Sequence, residues 1–139
     1  MYPQTEMPRL NKKSSILLVC DDEAARGAYL ESLAASFRDV EFVENGDEAL
    51  QAVEQHPFDL VVLDLQVPGA PILRSIKQRS PESEVVVITG RPNLAGAKEA
   101  VRLGAYDYIG KPVGAHEMIS LSNAALRRKG WALHAEHWP

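Results

Sequence analysis

Four polar sets in this sequence follow directly on short, largely apolar runs. Asp21-Asp22 follows ILLVC, Asp64 follows LVVL, Thr89 follows VVVI, and Lys111-Pro112 stands just past the run from Tyr106 to Ile109. If those runs are strands of one sheet, the four sets converge at one rim. Three carboxylates meeting in one crevice repel and raise one another's pKa unless a cation neutralises them. A hard divalent ion supplies that charge. Mg²⁺ prefers octahedral oxygen ligation and keeps several waters, so one or two carboxylates, a backbone carbonyl and a phosphoryl oxygen make a suitable shell. A carboxylate can also attack phosphorus and form an acyl phosphate, with Mg²⁺ and Lys111 balancing charge on the transferred oxygens.

Singly, each position has a plainer reading. Asp21 and Asp22 suit a solvated loop or the N-cap of a helix, where carboxylates favour the positive end of the dipole. Asp64 suits a capping position, Thr89 could cap the turn into Gly90, and Lys111 could be a surface lysine. Tyr108 suits an edge-strand aromatic, and Cys20, at the end of an apolar run, reads as a buried inert thiol. It is the order of the set that points to chemistry.

The elements that must position these residues are legible from periodicity. Apolar, β-branched runs at Ile16 to Cys20, Val40 to Val43, Leu60 to Leu63, Val85 to Ile88 and Tyr106 to Ile109 predict five strands, as in buried parallel sheets. Helices are predicted near 23 to 36, 46 to 55, 71 to 79, 93 to 103 and 115 to 129. In the first, Leu30, Leu33 and Phe37 recur as a core-facing stripe requires. Strict alternation implies right-handed crossovers and a parallel sheet covered on both faces, an α/β (βα)5 doubly wound fold. Active sites of such open sheets lie beyond the carboxyl ends of the strands.

With 139 residues the chain fits one domain. Residues 1 to 13 read as a flexible arm, 14 to 129 as the domain, and 130 to 139 as a tail or the start of a linker helix. A net charge of −4 gives no reason to expect nucleic-acid binding by this segment. One cysteine excludes an intrachain disulfide. No apolar stretch is long enough for a transmembrane helix, and a cytoplasmic setting is expected. His56, His116, His134 and His137 have no metal-ligand spacing beyond the last pair, which falls in a polar tail.

The segments ILLVCDDE at 16 to 23, FDLVVLDLQVPG at 58 to 69, VVVITGRP at 85 to 92 and GAYDYIGKP at 104 to 112 resemble bacterial two-component response-regulator receiver domains in order and spacing, over about residues 14 to 129. The resemblance implies a flavodoxin-like sheet with strand order 2-1-3-4-5 and a phosphorylation-dependent switch. It makes Asp64 the phosphoacceptor, Asp22 a direct Mg²⁺ ligand, Asp21 the holder of a metal-bound water, and Gln66 the donor of a backbone carbonyl to the metal. Thr89 would hydrogen-bond the phosphoryl group while Tyr108 turns inward, Lys111 would contact the phosphate, and the Lys111–Pro112 bond would be cis. The implied partner is a histidine kinase or phosphotransfer protein.

Departures from the family pattern lie just past the acceptor. Val67 replaces a usual methionine, about three residues are missing before the third helix, and Pro68 and Pro71 stiffen what remains. That leaves a degenerate receiver, a binding module independent of phosphorylation, as the alternative. A Mg²⁺-dependent phosphohydrolase would normally need a second carboxylate two residues past Asp64, where Gln66 stands, and no G-x-G-x-x-G supports a dinucleotide site. The run VRLGAYDYIGKP and the basic continuation resemble the N-terminal receivers of σ54-dependent activators. That likeness implies dimerisation through the fourth helix, fifth strand and fifth helix; the chain is expected to be either a free-standing receiver or, as this likeness favours, the N-terminal piece of a longer regulator. Ile119, Leu126 and Leu133 lie seven apart, as on one side of a prolonged helix, although Gly130 weakens its continuity.

Overall fold

The computed structural model describes residues 14–66 and 68–136, with side chains as far as Lys129. The expected N-terminal arm, Val67, and residues 137–139 with His137 lie outside the described residues. So do the side chains of Leu133 and His134.

Five strands and five helices alternate: β1 (Ser15–Cys20), α1 (Glu23–Ser36), β2 (Asp39–Val43), α2 (Gly46–Gln55), β3 (Leu60–Asp64), α3 (Ala70–Arg79), β4 (Glu84–Thr89), α4 (Leu94–Arg102), β5 (Asp107–Gly110) and α5 (Ala115–Glu136). All pairings are parallel, in the order β2-β1-β3-β4-β5. This is the doubly wound receiver fold. Three helices begin with Asx caps whose side chains accept backbone N–H groups left free by the first turn. Asp22 accepts from Ala24 and Ala25, Asn45 from Glu48, and Asn93 from Gly96. α3 has no side-chain cap and carries Pro71 in its first turn, where a missing N–H costs little.

Alternation along the strands divides the core in two. Leu17, Val19, Val61, Leu63, Val85 and Val87 face Ala49 and Val53 of α2, Leu73 and Ile76 of α3, and Ala100 of α4. Ile16, Leu18, Leu60, Val62, Val86 and Ile88 face Tyr29 and Leu33 of α1 and Met118, Ala125 and Leu126 of α5. Each large apolar side chain buried this way contributes about 1.5 to 3 kcal/mol. The α1 stripe is shifted from the expected one: Tyr29 and Leu33 are the buried pair, with Phe37 just past the helix, and Leu30 is only half-buried.

α5 runs to Glu136, beyond the expected end at 129, and Gly130 does not interrupt it. An interior glycine costs only about 1 kcal/mol relative to alanine. Near this end Arg128 donates from Nε and Nη2 to the two carboxylate oxygens of Glu84, at 3.0 and 2.5 Å, with its guanidinium 4.7 Å above the Tyr106 ring.

Candidate functional site

Register delivers the site. Cys20 pairs with Asp64, Asp64 with Ile88, and Ile88 with Ile109, so four adjacent strands reach the same level side by side. The residues immediately after that level form the rim: Asp21-Asp22, Leu65-Gln66, Thr89 and Gly110-Lys111. Lys111 N–H donates to the Thr89 carbonyl at 2.8 Å, extending the β4–β5 pairing by one step. The Lys111–Pro112 bond is cis.

Asp64 closes β3 and is 1% exposed. Its Oδ2 lies 3.1 Å from Lys111 Nζ, and the same ammonium lies 3.4 Å from Asp22 Oδ2. Asp22 serves two elements, because its Oδ1 caps α1 while its Oδ2 faces the lysine. Asp21 turns to the loop after β3, where both its oxygens accept from Gln66 N–H at 3.0 and 3.3 Å. Thr89 Oγ1 accepts from Arg91 N–H at 3.1 Å. The Tyr108 hydroxyl accepts from Asn93 N–H at 3.3 Å, at the start of α4. Gly96 makes that seat possible, since a Cβ there would collide with the Tyr108 hydroxyl. Thr89 and Tyr108 both line a cleft of about 300 Å³, whose other walls include Leu63, Leu73, Val87 and Ala100.

Two carboxylates share one lysine. Burial pushes the Asp64 carboxyl up from its ordinary value, against the downward pull of Lys111, and the nearby Asp21 charge adds to the rise. Asp22 is held low, first by the Ala25 N–H and then by Lys111. Burial works against charge on Lys111, yet Asp64 and Asp22 together raise its pKa. Among the described residues no three His, Cys, Asp or Glu side chains gather into a metal-holding group. Asp21 stands beside this pair, its charge felt at Asp64 while its oxygens accept from the Gln66 amide. What remains still fits a hard divalent ion: two carboxylates face one shared point with one ammonium between them, an excess of negative oxygen donors at a rim where the Gln66 backbone is adjacent.

Two neighbours of Asp64 are not apparent from the sequence motifs. The Cys20 thiol, 3.8 Å from Asp64 Oδ2, also donates to the Asp22 carbonyl at 3.4 Å. Tyr29, 5% exposed, packs from α1 into the same core cluster as Cys20. Burial pushes the ionisation of both upward, and the Asp64 charge adds to it. Strand parity is the signal that could have found them. Leu60, Val62 and Asp64 point to one face, the face that also takes Cys20 and α1.

A family model described as response regulator receiver domain matches residues 16–123. The chain belongs to that family, the phosphorylation-responsive signalling module of two-component response regulators. It is 32% identical over 116 residues to the response regulator MprA of Mycobacterium sp. (strain KMS), a match covering 81% of this chain and 50% of that protein. It is 30% identical over 118 residues to the DNA-binding transcriptional regulator NtrC of Escherichia coli (strain K12), covering 83% of this chain and 25% of that one. The crystal structure of the receiver domain of NtrX from Brucella abortus superposes with a TM-score of 0.74 at 33% identity, covering 81% of this chain and 98% of that domain. The chain thus spans half the length of one of these curated relatives and a quarter of the other. None of the described helices is long and apolar enough to cross a membrane.

Proposed function

We propose that this receiver is switched by phosphorylation of Asp64, supplied by a histidine kinase or phosphotransfer protein in the cytoplasm. The observation that carries the reading is the buried Asp64 at the end of β3 with Lys111 Nζ 3.1 Å from its carboxylate. One Asp64 oxygen attacks the phosphorus of a phosphohistidine. The O–P bond forms as the P–N bond breaks, and the electron pair stays on the imidazole nitrogen, which takes up a proton. Lys111 balances the charge of the phosphoryl oxygens. A Mg²⁺ ion held by Asp22, Asp64 and the Gln66 carbonyl, with Asp21 on one of its waters, would add positive charge opposite those oxygens. The Thr89 hydroxyl leaves Arg91 N–H and donates to the phosphoryl group, and Tyr108 follows it from its seat on Asn93. The chain is no general enzyme, since its chemistry acts on itself.

The signal then passes to α4, β5 and α5, which we assign as the surface for a second copy. Leu94 and Val101, seven apart on α4, are 71% and 69% exposed. As in NtrC, a DNA-binding transcriptional regulator, the output would lie outside this segment, which itself binds no nucleic acid. Intact-protein mass spectrometry after incubation with acetyl phosphate and Mg²⁺ tests the reading. A gain of one phosphoryl group, lost with Asp64→Asn and with EDTA, is expected. A folded chain that gains nothing from acetyl phosphate or from a phosphorylated kinase is instead a binding module independent of phosphorylation. Gel filtration with and without phosphorylation tests the dimer, and an unchanged monomer at high concentration rejects it.

A further inference from the structure

One run of hydrogen bonds joins Thr89 to Tyr108, and it passes through Asn93. Thr89 Oγ1 accepts from Arg91 N–H at 3.1 Å, and the Arg91 carbonyl accepts from Asn93 Nδ2 at 3.1 Å. Asn93 N–H then donates to the Tyr108 hydroxyl at 3.3 Å, while Asn93 Oδ1 accepts from Gly96 N–H at 2.7 Å and caps α4. The side-chain amide is used at both ends. Its orientation is fixed, because a backbone N–H can only donate and a carbonyl can only accept. Capping alone asks for less. Asp22 caps α1 with a carboxylate, and an aspartate at 93 would suit the positive end of the α4 dipole better than a neutral amide does. What aspartate lacks is the donor that reaches Arg91.

We propose that Asn93 is a positioning residue of the switch: it fastens Tyr108 to the start of α4 and carries the state of Thr89 to it through the main chain of the β4–α4 loop. The inference rests on Asp64 being the residue phosphorylated and on Thr89 and Tyr108 being the pair that responds. While the Thr89 hydroxyl holds Arg91 N–H, the loop is closed on itself and Asn93 N–H stays against the Tyr108 hydroxyl. Gly96 leaves room for that hydroxyl, since a Cβ there would collide with it. When Thr89 turns to the phosphoryl group, Arg91 N–H loses its acceptor, the Arg91 carbonyl is free to leave Asn93 Nδ2, and the seat of Tyr108 loosens. The ring then turns into the adjoining cleft of about 300 Å³, walled by Leu63, Leu73, Val87 and Ala100. Coupling of this kind is reciprocal. Whatever fastens Tyr108 also holds Thr89 back, so Asn93 sets how far the resting chain leans toward the switched form.

The test follows Tyr108 in the metal-free, unphosphorylated chain, with tyrosines carrying ¹³C at Cζ and the Tyr108 resonance identified by its loss in Tyr108→Phe. Asn93→Asp keeps the cap on Gly96 N–H and removes the donor to Arg91. It should raise the population of turned Tyr108 about two- to tenfold, read from relaxation dispersion of that resonance. Labelling of Asp64 by acetyl phosphate and Mg²⁺ should speed up in the same direction. Thr89→Val removes the acceptor at the other end of the run, and it should shift the Tyr108 resonance in the parent chain but not in Asn93→Asp. An equal shift in both backgrounds means that the threonine reaches the tyrosine without Asn93. A Tyr108 population unchanged by Asn93→Asp means that the residue only caps α4. Either result overturns the proposal. Should Asn93→Asp not fold, Asn93→Ser, which also caps, takes its place. Failure of the parent chain to label is a different result, which removes the reading on which the proposal stands.

Discussion

The two ends of the sheet treat buried charge in opposite ways. At the amino-terminal rim the acids are matched. Glu84 receives the two-pronged Arg128, and Asp59 accepts from Ser15 N–H at 2.9 Å with Lys129 3.4 Å away. Ser83 Oγ donates to the Phe58 carbonyl at 2.5 Å and is 2.7 Å from Ser80 Oγ. At the carboxyl-terminal rim Asp22 and Asp64 share Lys111, and Asp64 is left with its carboxyl raised by burial. One end closes its electrostatics within the chain. The other keeps an unmet demand for positive charge, as functional sites do at a cost in stability.

That contrast can be broken most strongly at Arg128. Arg128→Ala strands Glu84 in a largely buried position and should lower stability by about 2 kcal/mol, read as a shift in the urea midpoint. A loss under half that size would mean the lower rim is no anchor. At the upper end, Gly96→Ala should cost about 1 kcal/mol, despite the better helix propensity of alanine, by driving its Cβ into the Tyr108 hydroxyl. Adding Tyr108→Phe should erase the loss, and a cost that persists in the double variant places the collision elsewhere.

Asp64→Asn should act with the opposite sign and stabilise the metal-free chain by about 1 kcal/mol at neutral pH. The folded-state pKa of Asp64 lies above its unfolded value, so its stabilising contribution is present below the unfolded pKa and is lost as pH rises through the folded one. Thermal melts in EDTA from pH 3 to 7 should therefore diverge in favour of the variant as pH climbs, and parallel melts contradict the assignment. The smallest effect belongs to Lys129→Ala, whose pair with Asp59 and bond to the Glu82 carbonyl should be worth under about 1 kcal/mol, again read from the urea midpoint.

Most of the scaffold is legible in the sequence because its signals are local. β-branched runs and Asx caps place the strands and the starts of α1, α2 and α4 within a residue or two. The rim residues follow because strand ends share a level in a parallel sheet. Asp21 shows where local signals stop, since its commitment to Gln66 N–H depends on how the loop after β3 folds back. Tyr29 shows the same limit differently. Its helical spacing with Leu33 and Phe37 is as good as that of Leu30, and only the crossing of α1 over the sheet decides which residue looks inward. α5 outruns its expected end because propensity alone argues for stopping at Gly130, while Arg128 holds the preceding turn to β4.

That hold on Arg128 also sets a direction. Eight residues separate it from Glu136, about 12 Å of continuous helix at 1.5 Å per residue. A tilt of about ten degrees at the clasp sweeps the far end of such a rod through about 2 Å. Glu84 begins β4, the strand that ends in Thr89. The bearing of the rod as far as Glu136 is thus referenced to the strand that ends in Thr89.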